Sequence, residues 1–106
     1  MEEAEFLSLA DNCLDKVADW LEDLDPDEVD YSTADGVVTM EFADGARYIL
    51  SRQAATHQIW LAAGAQAFHY DYDSKSGGWK DEKDGQPLFP QLAELVGTKI
   101  GQKLNF

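Results

Sequence analysis

Asp35-Gly36-Val37-Val38-Thr39-Met40-Glu41-Phe42-Ala43-Asp44-Gly45-Ala46-Arg47-Tyr48-Ile49-Leu50 holds two β-prone runs, one before and one after Asp44-Gly45, with a second Asp-Gly pair at its head. Asp-Gly pairs supply the positive φ of tight two-residue turns, and such turns join antiparallel neighbours. In the first run Val38, Met40 and Phe42 alternate with Val37, Thr39 and Glu41, so the former set points to a core and the latter away from it. The second run does not decide its faces, because Tyr48, Ile49 and Leu50 are apolar on both sides.

The same punctuation continues outward. Val29–Thr33 precedes Asp35-Gly36, Ala46–Arg52 runs to a polar loop at Gln53–Thr56, His57–Ala62 ends before Gly64, and Ala67–Tyr72 ends before Ser74-Lys75-Ser76-Gly77-Gly78. A last short strand holds Trp79 and leaves through Asp84-Gly85. Ile59 and Leu61 form the natural core pair of the fourth run, which places Gln58, Trp60 and Ala62 on the other face. Phe68, Tyr70 and Tyr72 point inward and His69 and Asp71 outward. Trp79, after Gly-Gly, reads as core or edge packing.

Both flanks are helical. Phe6, Leu7, Leu9, Ala10, Cys13, Leu14, Val17, Trp20, Leu21 and Leu24 fill one half of a helix from Glu3 to Leu24, at about 100° per residue. Pro26 ends it. Pro87 to about Gln102 carries a second stripe of Leu88, Leu92, Leu95, Val96 and Lys99 or Ile100, weakened by Gly97 and Gly101, and Leu104 and Phe106 are apolar enough to pack back. Helix, about six strands, helix predicts an α+β fold, a two-layer sandwich with both helices on one face of an antiparallel sheet. A chain of 106 residues is one such domain, residues 1–106.

The far side of the first helix works against its own stability. Residues 1–30 hold twelve acids against Lys16 alone, a net −11 of the chain's −13. Asp11, Asp15, Asp19, Glu22 and Asp23 share one arc with Glu5 and Ser8. The low helix propensity of Asp, four like-charge pairs at i,i+3 or i,i+4 and three acids at the negative end of the macrodipole together oppose folding by about 3 kcal/mol. A domain of this size has roughly 5–15 kcal/mol in total. A cation or a basic partner would remove part of that penalty; a solvated face that keeps the protein soluble is the plainer reading.

Composition excludes several classes. The negative charge repels nucleic acid and anionic membranes. No apolar run reaches transmembrane length. The acidic start is the opposite of a secretory signal or an Arg-rich transit peptide. The lone Cys13 lies in the apolar stripe as a core residue, with no disulfide framework. Nucleophile elbow, phosphate loop, His-Glu helix motif and paired-Cys motif are all absent, and His57 and His69 read as surface or internally satisfied histidines. What remains is an open surface of carboxylates, suited to hard cations such as Ca²⁺, Mg²⁺, Mn²⁺ and ferrous or ferric iron, with water completing the shell. Trp60 stands beside Gln58 on a face that no helix covers; burial is the usual fate of a tryptophan, and one left exposed among polar groups has the make-up of a protein-contact anchor.

The element order, the acidic helix and the strand His57-Gln58-Ile59-Trp60-Leu61-Ala62 resemble the frataxin family, and within it the bacterial members. Glu5-Phe6 with Leu9-Ala10-Asp11, Asp35-Gly36-Val37-Val38-Thr39 with Glu41-Phe42, Arg52-Gln53, Phe68-His69-Tyr70-Asp71 and Trp79 follow in that family's order, over essentially the whole chain. Ala18 departs from it, where relatives carry another acid, as do Pro26 and a slightly short loop before Val29.

The resemblance implies a protein that binds iron (Fe²⁺ or Fe³⁺) weakly, with other divalent cations as substitutes. It implies a role in iron–sulfur cluster assembly as an iron-dependent regulator that docks on the cysteine desulfurase near its scaffold partner. The family's iron-contacting acids match Asp19, Glu22, Asp23, Asp25 and Asp27, with Glu28 and Asp30 nearby and Asp11 and Asp15 further along the ridge. His57 matches a metal contact suggested for the family. Glu22, Asp23, Gln58 and Trp60 are the expected partner contacts. The expectation is a non-enzymatic protein of the bacterial cytosol, monomeric without iron, with weak ferroxidase activity at most. The competing readings are an acidic mimic that occupies basic protein surfaces with incidental metal, and a carboxylate-cluster iron oxidase, for which the Glu-x-x-His pairs of di-iron bundles are missing.

Overall fold

The computed structural model describes residues 1–106. Helix α1 (Glu3–Glu22) leads into strands β1 (Val29–Ala34), β2 (Val37–Phe42), β3 (Arg47–Gln53), β4 (Gln58–Ala63), β5 (Gln66–Asp73) and β6 (Gly78–Asp81), and helix α2 (Leu88–Ile100) closes the chain. The six strands pair in chain order, each antiparallel to the next. Both helices lie on one face, and the two-layer α+β sandwich expected from the sequence is the observed fold.

One core fills the gap between the layers. Phe6, Ala10, Cys13, Leu14, Val17 and Leu21 come from α1, Leu88, Leu92 and Val96 from α2, and Val38, Met40, Phe42, Leu50, Ile59, Leu61, Tyr70 and Trp79 from the sheet. The alternation in β2 and β4 holds residue for residue. In β3, undecided by pattern, Leu50 is buried and Ile49 faces out, 39% exposed. Neither helix is long and apolar enough to cross a membrane.

Three local differences have physical causes. Helix α1 stops at Glu22 rather than Leu24, because its last turn tightens into i→i−3 bonds, Asp23 N–H to Trp20 O and Leu24 N–H to Leu21 O. His57 is not in β4; it sits in the preceding turn at φ 53° and stacks on Phe6. Gly97 does more than weaken α2. The tail crosses it closely, with the Gln102 N–H on the Gly97 carbonyl at 2.9 Å, and a Cβ built at Gly97 would lie 2.5 Å from the Gln102 carbonyl oxygen. Gly97→Ala is therefore expected to lower stability by about 1–3 kcal/mol through overpacking, against the helix-propensity gain of up to ~1 kcal/mol. A thermal melt checks this, and a raised Tm would show that the tail gives way freely.

Beyond that crossing the tail is anchored. Trp20 Nε1–H donates to the Asn105 carbonyl at 2.8 Å, and Phe106 stacks on Phe89 and Trp20 with centroids 4.2 and 5.1 Å apart. Lys99 donates to Asp44 at 2.6 Å, joining α2 to the β2–β3 turn and holding that carboxyl below its ordinary pKa.

Candidate functional site

The charged face of α1 turns to solvent beside the β1–β2 hairpin, because its opposite face is committed to the core. Between helix and hairpin lies an open groove of about 630 Å³, lined by Asp11, Asp15 and Asp19 on one side, Tyr31, Thr33 and Val37 on the other, and Arg52 and Asp35 at one end. The acids along this ridge are not equivalent. Arg52 reaches across from β3 to pair with Asp11 and, at 3.0 Å, with Asp35. The Tyr31 hydroxyl donates to Glu22 at 2.6 Å, and that acceptor raises the phenol's pKa. Asp25 accepts the Asp27 N–H at 2.9 Å and closes the α1–β1 loop, and Asp30 accepts the Tyr31 N–H at 2.8 Å. Glu28 is taken at both oxygens by the Gln102 amide, at 2.8 and 2.7 Å.

No hydrogen bond or ion pair engages the carboxylates of Asp15, Asp19, Asp23 or Asp27. The first three stand one turn apart, each exposed, with side chains about 5–6 Å apart at their Cβ atoms. That spacing lets two neighbouring carboxylates share one hard cation, with water filling its other positions. No three His, Cys, Asp or Glu side chains converge to enclose an ion. The arrangement is a row of open, low-affinity positions rather than a cage.

The structure does not bring His57 to this row. Its ring stacks on Phe6 at a centroid distance of 4.9 Å, and at 1.5 Å per residue Phe6 lies about 14 Å along α1 from Asp15, the near end of the row, and about 25 Å from Asp23. Cys13 offers no ligand either: burial pushes its thiol up to about 12.

The second region is the sheet face away from the helices. Trp60 stands there half-buried, directly across from His69 on β5, and the two rings stack at 4.3 Å and 16°. The indole N–H donates to Gln58 Oε1 at 2.9 Å. Gln58 Nε2 in turn donates to Glu82 Oε1 at 2.8 Å and to Asp71 Oδ1 at 3.1 Å, and the other Glu82 oxygen faces His69 Nδ1 at 3.2 Å. Sequence reasoning put Gln58, Trp60, His69 and Asp71 on this outer face without joining the two strands' residues, and it missed Glu82. The two-residue turn at Gly64-Ala65 held the signal, since counting back from it pairs Trp60 with His69. Nothing local announces Glu82, which follows β6.

A family model described as a frataxin-like domain matches residues 1–102. The iron–sulfur cluster assembly protein CyaY of Azotobacter vinelandii is 40% identical over 104 residues, covering 98% of this chain and 94% of that protein. The protein of the same name from Pseudomonas aeruginosa is 39% identical over 106 residues, covering 100% and 97%. Among solved structures, the frataxin of Psychromonas ingrahamii superposes with a TM-score of 0.89 at 30% identity, covering 99% of this chain and 97% of that one. The trimeric frataxin of Saccharomyces cerevisiae complexed with ferrous iron superposes with a TM-score of 0.77 at 31% identity, covering 89% and 87%.

Proposed function

Because this chain belongs to the frataxin family, we propose that it binds iron along α1 and acts in iron–sulfur cluster assembly as a non-enzymatic regulator that docks on the cysteine desulfurase and its scaffold. The observation that carries the reading is the row Asp15, Asp19 and Asp23, three unpaired carboxylates kept one turn apart where they repel each other. Iron is cargo or signal on such a row. Asp27 and the free oxygens of Asp25 and Asp30 extend it into the loop. A row with no converging ligands holds an ion weakly and does not set up a defined redox centre, which is why an iron oxidase is the poorer reading. A bacterial cytosol is the setting this reading takes, and the bacterial origin of the similar CyaY proteins supports it.

The same row is suited to a basic protein surface, with Glu22 and Asp23 at its loop end, while Gln58 and Trp60 supply a second contact on the sheet. An amide NMR titration with Fe²⁺ in oxygen-free buffer tests the first half. Resonances of residues 15–30 are expected to broaden first, with Trp60 and His57 unaffected at low metal. Binding to the desulfurase, measured at rising salt, tests the second; association is expected to weaken about tenfold or more between 50 and 300 mM salt as exposed charges are screened. Uniform broadening over the chain, or salt-independent association, overturns the reading.

A further inference from the structure

Glu82 touches both supports of Trp60. Through Oε1 it accepts from the Gln58 amide, whose own carbonyl holds the indole N–H, and through Oε2 it faces the imidazole that lies flat on the indole ring. One carboxylate thus fixes the Trp60 edge through one neighbour and its face through the other. We propose that Glu82 and His69 are positioning residues for Trp60, forming a clamp that protonation of His69 tightens. The clamp deepens, and rests on, the reading of Trp60 as a partner contact.

The chemistry follows from the geometry. An imidazolium at Nδ1 pairs with Glu82 as an ion and not merely as a neutral donor, and it presents a cation to the indole face, the best aromatic partner for one. Histidine changes charge between about pH 5 and 8, so the clamp is tight at the acid end of that range and slack at the other. The surrounding charges support this direction. On β5, Asp71 lies two residues along on the same face and is held by Gln58. On β6, Lys80 is cross-strand from Asp71, but its ammonium is committed to Asp73 at 3.1 Å. Lys83 follows Glu82 in the chain. From β4 come the neutral Gln58 and Trp60, and from β3 the neutral Ser51 opposite Trp60. The one carboxylate within reach of the His69 ring is Glu82. A fixed aromatic anchor loses less rotational freedom on binding than a mobile one, which gives the clamp its purpose.

The test uses the whole chain. Of three indole N–H resonances, that of Trp60 is the one lost in Trp60→Phe. It is expected to shift between pH 5 and 8 with a single inflection, to lose that inflection in His69→Gln, and to shift less in Glu82→Gln, where the imidazolium has no ion partner to hold it. A Trp60 indole resonance indifferent to pH, or an inflection untouched by His69→Gln, overturns the clamp. Binding to the desulfurase–scaffold complex at pH 6 and pH 8 then separates the two levels. Binding at least threefold tighter at pH 6, and level in His69→Gln, supports the clamp. Binding that needs Trp60 but ignores pH overturns the clamp and leaves the docking face standing. A titrating clamp in a chain that binds as well with Trp60→Ala overturns the docking face instead.

Discussion

Phe6→Ala is expected to remove about 3–5 kcal/mol, a large share of the ~5–15 kcal/mol available to a domain of this size. Phe6 is fully buried, packs edge-on against Trp79 at 6.0 Å and carries His57 on its face at 4.9 Å. Truncation opens a cavity where α1 meets β6 and the β3–β4 turn. The turn has little to replace it, because His57 is held at a positive φ by that stack and by its N–H on the Ala54 carbonyl at 3.3 Å. Urea unfolding measures the loss. A cost below about 1.5 kcal/mol would mean that the first turn of α1 is loosely seated and the core begins nearer Ala10.

The opposite sign is expected for the ridge. Asp15→Asn, Asp19→Asn and Asp23→Asn together are expected to stabilise the chain by about 1–3 kcal/mol, since they remove four like-charge contacts and one anion from the C-terminal end of α1. Asn and Asp have similar helix propensities, so the gain is electrostatic and shrinks with salt. The same triple variant is expected to lose the Fe²⁺-dependent broadening and most of the salt-sensitive association. A gain in stability joined to a loss of binding is the signature of a surface kept for its partners. If the variant were less stable, the ridge would be structural and the argument for a cation there would fall.

Much of this was legible without coordinates. Val38, Met40 and Phe42 in β2 and Ile59 and Leu61 in β4 are buried as their alternation requires, and Trp60 faces away from both helices. The stripe from Phe6 to Leu21 seats α1 on the sheet, so the acids between its members had to face water. The exceptions are instructive. Arg47–Leu50 could not be oriented by pattern, and it was the pairing of Leu50 with Val38 and Leu61 that turned it inward. Gly97 looked like a weak point in α2 and is a crossing point for the tail.

The candidate site divides the same way. The sequence alone determined which residues lie on the ridge and on the open sheet face, because helix and strand periodicity are local and depend on nothing more distant than a turn. Which ridge acids are free was decided by the tertiary structure: Arg52 takes Asp11, Tyr31 takes Glu22 and Gln102 takes Glu28, from partners up to 74 residues away. His57 was set apart from the ridge, and Glu82 joined to Trp60, by strand register and by the reach of single side chains. Those are properties of the packed chain, and no periodicity along it carries them.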